Sequence, residues 1–143
     1  MKTESAWLLF ALGSAVFGGA TAILAKVGVA GIDSNLATFY RTLIVLAFIG
    51  LIVSVRGDWS GFGAVSMRSW VFLALSGIAT AASWLCYYRA LQLAPASRVA
   101  PVDKLSLVVA IALGVLVLGE PISARFLVGA GLVVAGIFVD ALS

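Results

Sequence analysis

Residues 6–29 read AWLLFALGSAVFGGATAILAKVGV, and Lys26 is the one charged side chain among them. A helix that crosses a bilayer needs about 20 predominantly apolar residues to match a hydrocarbon layer roughly 30 Å thick. In lipid only a helix or a closed barrel satisfies its own backbone, so this stretch predicts a spanning helix. Four further stretches of the same character follow at residues 36–55, 69–93, 99–118 and 123–141. Their boundaries are marked by turn chemistry. Asp33-Ser34-Asn35 supplies N-cap residues ahead of the second helix. Gly57 to Gly63 forms a polar, glycine-rich turn, and Ala94-Pro95-Ala96-Ser97 ends the third helix and caps the fourth. Pro101 loosens the first turn of that fourth helix. Gly119-Glu120-Pro121-Ile122-Ser123 gives a C-terminal glycine, a proline stop and a new N-cap. The expectation is an all-α integral membrane protein, a single domain over residues 1–143 with five transmembrane helices.

Composition agrees. Hydrophobic residues make up 63% of the 143 and charged residues 10%, against roughly 45–50% and about 25% in soluble domains. The net charge of +3 comes from scattered basic residues that form no nucleic-acid-binding stripe. A single cysteine, Cys86, and the absence of histidine exclude an intramolecular disulfide, a Cys/His zinc site and any histidine-based nucleophilic triad. No paired catalytic carboxylates are evident either, so the sequence predicts neither an enzyme nor a resident cofactor. Basic residues flanking the spans set orientation. Lys2, Arg56, Arg68 and Arg125 lie on the N-terminal side, against Arg98 as the one basic residue clearly outside a helix on the other. This favours a cytoplasmic N-terminus. Lys2 followed by an apolar run and Ala20-Thr21-Ala22 has a loose likeness to a cleaved signal peptide, but the apolar run continues past Ala22 into a full span.

Five alternating helices bring the C-terminal ends of helices 1 and 3 to the same leaflet as the N-terminal ends of helices 2 and 4. On those ends lie Lys26, Arg41, Arg89, Asp103 and Lys104. Ionisable groups within a span are costly unless paired or hydrated, and they generally face an interior cavity. Ser14, Gly18, Ala22 and Lys26 fall at successive i+4 positions, so Lys26 points towards other helices along a seam of small residues. Ser76, Thr80, Trp84 and Tyr88 make a polar and aromatic stripe on helix 3, able to stack against a ligand. Asp103, read as a first-turn acid of helix 4, is placed to pair with Lys26 or Arg41. Four cations against one carboxylate favour an anionic or carboxylate-bearing solute. The plain alternatives are a snorkelling lysine and interfacial arginines and aromatics. On helix 5, Gly129, Gly131, Ala135 and Gly136 predict a close helix–helix approach, within the protomer or between protomers.

Several stretches, in order, resemble the EamA-type family of the drug/metabolite transporter superfamily, in its five-helix bacterial and archaeal branch. They are Ala25-Lys26-Val27-Gly28, Phe39-Tyr40-Arg41, Trp84 to Leu91, Pro101 to Ser106, and Gly119-Glu120-Pro121 followed by Gly129 and Gly136. The resemblance implies half of a ten-helix inverted-repeat carrier that works by alternating access on a small-molecule substrate in a bacterial or archaeal plasma (inner) membrane. It implies a homodimer. With an odd number of helices, a pseudo-two-fold arrangement needs the two copies inserted in opposite directions. A parallel dimer or a different partner protein is the alternative. The small multidrug resistance relatives carry an embedded glutamate in their first helix; here that helix has Lys26, and Glu4 precedes it. A non-transporting structural or regulatory subunit is the main rival reading. It predicts a polar cluster that only locks helices together, with no solute-sized cavity.

Overall fold

The computed structural model describes residues 6–141, so the expectations resting on Lys2 and Glu4 lie outside the described residues. All regular structure among the described residues is helical: α1 (Ala6–Gly28), α2 (Ser34–Arg56), a 3-10 helix (Asp58–Ala64), α3 (Met67–Leu93), α4 (Ala96–Asp103), α5 (Ser106–Leu118) and α6 (Ala124–Ala141). Three long helices, α1, α2 and α3, and the α4–α5 stretch from Ala96 to Leu118 are each long and apolar enough to cross a membrane. The fifth expected span, α6, is apolar but shorter. Its 18 residues extend about 27 Å at 1.5 Å per residue, a few ångströms less than the hydrocarbon layer.

The helix ends follow from local chemistry. Asp33 Oδ1 accepts the backbone N–H groups of Asn35 at 2.8 Å and Leu36 at 3.2 Å, capping α2. Gly57 and Gly119 end α2 and α5 in the left-handed region, with φ of 72° and 67°. A side chain there would crowd the following carbonyl, so glycine is the residue that fits. Ser66 Oγ accepts the Ser69 N–H and starts α3 two residues before the expected Ser69. Ser123 Oγ accepts the Phe126 N–H at 3.2 Å and opens α6. Within the spans, Thr38, Thr42, Ser54 and Thr80 each donate their hydroxyl to the carbonyl four residues back. No hydroxyl of this set needs a partner from lipid.

The fourth helix departs from expectation. It begins at Ala96, without a side-chain cap, so Ser97 lies inside the helix. Pro101 then falls near its C-terminal end. Lacking an N–H and crowding the turn before it, Pro101 precedes a break in which Lys104 and Leu105 donate to the carbonyls of Pro101 and Val102, three residues back, both at 3.0 Å. The expected single helix from 99 to 118 is therefore two, α4 and α5. Asp103 is the last residue of α4, not a first-turn acid.

The chain divides into two compact units, one of Ala25–Leu93 and one formed by the chain on either side of it. In the first, α2 packs along α3; in the second, α6 packs on α4 and α5. The packed face of α6 carries buried Ile137 and half-buried Ala130 and Val134. Gly129, Gly131 and Gly136 have nothing within 4 Å of where a Cβ would stand. The expected glycine seam is thus not the contact made inside this unit.

Candidate functional site

The unit of residues 25–93 is held together most closely where α1 ends, α2 begins and α3 ends. Small residues on the first turns of α2, Ser34, Ala37 and Thr38, are buried. They let the last turns of α3 come close, and Tyr88 and Leu91 are buried there. On α1 Ala25 is buried and Lys26 half-buried, and Val29, just past the helix, is buried too. Leu91 is 0% exposed, so the end of this three-helix contact is a true packed core.

Two helix C-termini meet at this point, and each caps the other. The last four carbonyls of a helix lack intrahelical donors. Lys26 Nζ, from α1, donates to the carbonyl of Leu91 in the last turn of α3. In return the side-chain amide of Gln92, from α3, donates to the carbonyl of Ile32 at 2.7 Å and reaches that of Val29 at 3.5 Å, just past the end of α1. The Gln92 oxygen accepts from Arg89 at 3.1 Å. One glutamine therefore orients Arg89 and ties α3 to the α1–α2 turn. The sequence gives no sign of this role, because a lone glutamine at a helix end has no periodicity to betray a partner some sixty residues away.

Arg41, from the second turn of α2, lies over the ring of Trp84 at 4.1 Å from its centroid and 5.8 Å from that of Tyr88. Trp84 and Tyr88 are one turn apart on α3, so a single guanidinium covers both faces. The expected stripe is joined at this end alone. Ser76 and Thr80 are exposed, with the Thr80 hydroxyl bonded to the Ser76 carbonyl of its own helix. The seam on α1 behaves likewise: Ala22 is buried and Lys26 half-buried, while Ser14 and Gly18 are exposed.

Beside these contacts is a cavity of about 440 Å³ lined by Lys26, Val29, Ala30, Gly31, Arg89, Leu91, Gln92 and Leu93. Ligand sites are typically about 300–1,000 Å³. Among the described residues the walls carry two cationic side chains, one amide and no carboxylate; the remainder is apolar or small. Of the other expected site residues, Asp103 and Lys104 belong to the second unit, where these sequence neighbours pair with each other at 3.4 Å at the end of α4. That unit has its own cavity of about 300 Å³, walled by Ile111, Val115, Glu120, Pro121, Ile122, Ser123 and Phe126.

Four of the helical stretches are long and apolar enough to cross a membrane, and the sequence has recognisable relatives. The EamA-like transporter family matches residues 5–140. A protein of Sinorhizobium sp named "Uncharacterized transporter in cobO 3'region" is 48% identical over 133 residues, which is 93% of this chain and 94% of that protein. No solved structure matches the chain. The family match runs through both units and takes in each cationic residue of the packed end, so the chain belongs to the EamA-like transporter family.

Proposed function

We propose that the protein is a multi-pass transporter of the inner membrane that moves a small metabolite or drug-like solute by alternating access, working as a homodimer. Its site is the cavity at the packed end of residues 25–93, and the solute is anionic or carboxylate-bearing. The observation that carries this reading is the cavity wall itself. Lys26 and Arg89 both line a solute-sized hollow that, among the described residues, no carboxylate lines. Half-buried Lys26 and exposed Arg89 on one wall attract an anionic group. Lys26 and Arg89 bind the anionic group, Gln92 fixes Arg89, and Arg41 on Trp84 and Tyr88 stiffens the adjacent wall.

A dimer supplies what the family's inverted-repeat architecture requires of a five-helix chain, and the open glycines of α6 offer a face for close approach. In this proposal the copies are antiparallel, or else parallel with the N-terminus cytoplasmic. Cysteine accessibility of both termini in intact cells separates the two arrangements.

The rival reading as a structural subunit draws on one observation: Lys26 and Gln92 bind backbone carbonyls across helices, which is what a helix lock would do. Reconstituted uptake decides. In proteoliposomes Lys26→Ala is expected to abolish transport while the protein still inserts and purifies as a folded species. Full transport by the variant would end the assignment of this site.

A further inference from the structure

We propose that the turn between α5 and α6 holds a second ligand site, which takes a small organic cation, an alkylammonium group, on Glu120. It stands independently of the anion reading of the first cavity. Among the described residues, and apart from each helix's own backbone, Gly114 is the one glycine with an atom within 4 Å of where a Cβ would stand. The atoms there belong to the Glu120 carboxylate, with Oε2 at 3.0 Å. A carboxylate that only marked a turn at the headgroup level would extend into water; this one folds back onto the helix it follows. The backbone holds it there. Gly119 N–H donates to the Val115 carbonyl at 3.1 Å and Glu120 N–H to the Gly114 carbonyl at 3.2 Å, with Gly119 in the left-handed region. Gly114 leaves the room that the Glu120 side chain occupies.

Glu120 lines the cavity of about 300 Å³, at the small end of the range for ligand sites. Among the described residues no lysine or arginine lines it, and no side chain forms an ion pair or hydrogen bond with Glu120. Its company is Ile111, Val115, Pro121, Ile122 and Phe126, the last an aromatic ring of the kind that attracts cations. Ser123 is the other polar side chain. Its Oγ accepts the Phe126 N–H at 3.2 Å and keeps a second lone pair for a donor. Calcium and magnesium need about six oxygens; one carboxylate and one hydroxyl do not supply them, and no group of three metal-ligating side chains occurs among the described residues. An ammonium fits better: its N–H groups suit the carboxylate and the hydroxyl, and a short carbon chain suits the aliphatic wall. A free amine and the ethanolamine headgroup of a lipid share this chemistry.

The test is equilibrium dialysis of the purified full-length protein, in a non-ionic detergent, against radiolabelled pentylamine, a cation at neutral pH. Saturable binding is expected, with no displacement by equal concentrations of sodium, magnesium or valerate. Glu120→Gln keeps the shape and removes the charge, and is expected to weaken binding by about tenfold or more. Gly114→Leu puts a side chain where the carboxylate lies. Leucine favours a helix more than glycine does, so the melting temperature is expected to hold while binding weakens as in Glu120→Gln. Lys26→Ala, in the other unit, is expected to bind pentylamine as the wild type does, which separates this site from the first cavity. Phosphatidylethanolamine added to the micelles identifies the source: competition with pentylamine supports a headgroup as the ligand, and no competition supports a free amine. The proposal is overturned by the absence of saturable binding, by wild-type affinity in Glu120→Gln or Gly114→Leu, by displacement with sodium or magnesium, or by loss of binding in Lys26→Ala.

Discussion

The two ends of the unit formed by residues 25–93 handle their charges in opposite ways. At one end Arg56 pairs with Asp58 at 3.3 Å, both side chains well exposed, and Trp59 donates to Ser54 at 3.0 Å. Arg68 stands over Phe72 of its own helix at 6.0 Å. Each of these partners is within a few residues in sequence. At the other end Lys26 reaches α3, Arg41 reaches two rings of α3, and Gln92 reaches back to the α1–α2 turn. The first end is what interfacial anchoring looks like: long side chains at the headgroup level, tied locally. The second commits its polar groups to contacts between helices and surrounds a cavity. Snorkelling describes Arg56 and Arg68 well, and it leaves the contacts of Lys26 and Arg41 unexplained.

That contrast breaks most readily at Lys26. Lys26→Ala removes a cavity cation and leaves a buried carbonyl at Leu91 without its donor. Losing a charge-assisted bond of this kind costs about 1.5–3 kcal/mol of stability, and with the cavity cation gone, uptake in vesicles is expected to fall to background. Next is Arg41→Ala, which strips the cation from Trp84 and Tyr88. A partly dehydrated cation–π contact contributes about 1–2 kcal/mol, and the melting temperature in detergent is expected to drop by about 3–6 °C. Arg41→Lys restores part of this, since an ammonium keeps the charge but lacks the planar stacking surface. Asp33→Ala, which uncaps α2, costs about 1 kcal/mol by the same measurement. The smallest effect belongs to the opposite end: Arg56→Gln changes stability by no more than about 0.5 kcal/mol, because an exposed ion pair contributes little, and leaves transport untouched. Equal losses from Arg56→Gln and Arg41→Ala would erase the distinction between the two ends.

Much of this is legible in the sequence because membrane helices announce themselves. Length and hydropathy locate the long helices, and Asp33, Gly57, Gly119 and Ser123 mark ends that the structure places within a residue or two. The meeting of Lys26, Arg41, Trp84, Tyr88 and Arg89 at one end of residues 25–93 follows from helix alternation alone. What escapes is non-periodic. Apolar residues run on through Pro101 and so suggest one helix from about 99, whereas the chain begins that helix three residues earlier, at Ala96, and breaks it just beyond the proline. Asp103 loses its first-turn role by the same displacement. Gln92 is invisible because its importance lies wholly in which carbonyls the fold brings near it. Ser14, Gly18, Ser76 and Thr80 share the right helical phase, yet phase states a direction and not how far along the helix a neighbour extends.

The most direct measurement of the central claim can be made before the solute is identified. Ala30 lines the cavity and is exposed, and Cys86 is the free cysteine to be removed. In a Cys86→Ser background, Ala30→Cys can be modified with an anionic sulfonate or a cationic ammonium methanethiosulfonate of similar size. A site with net positive potential is expected to react about tenfold faster with the anionic reagent, and adding Arg89→Gln should remove that preference. Equal rates, or faster modification by the cationic reagent, would contradict an anion-binding cavity at the junction of α1, α2 and α3.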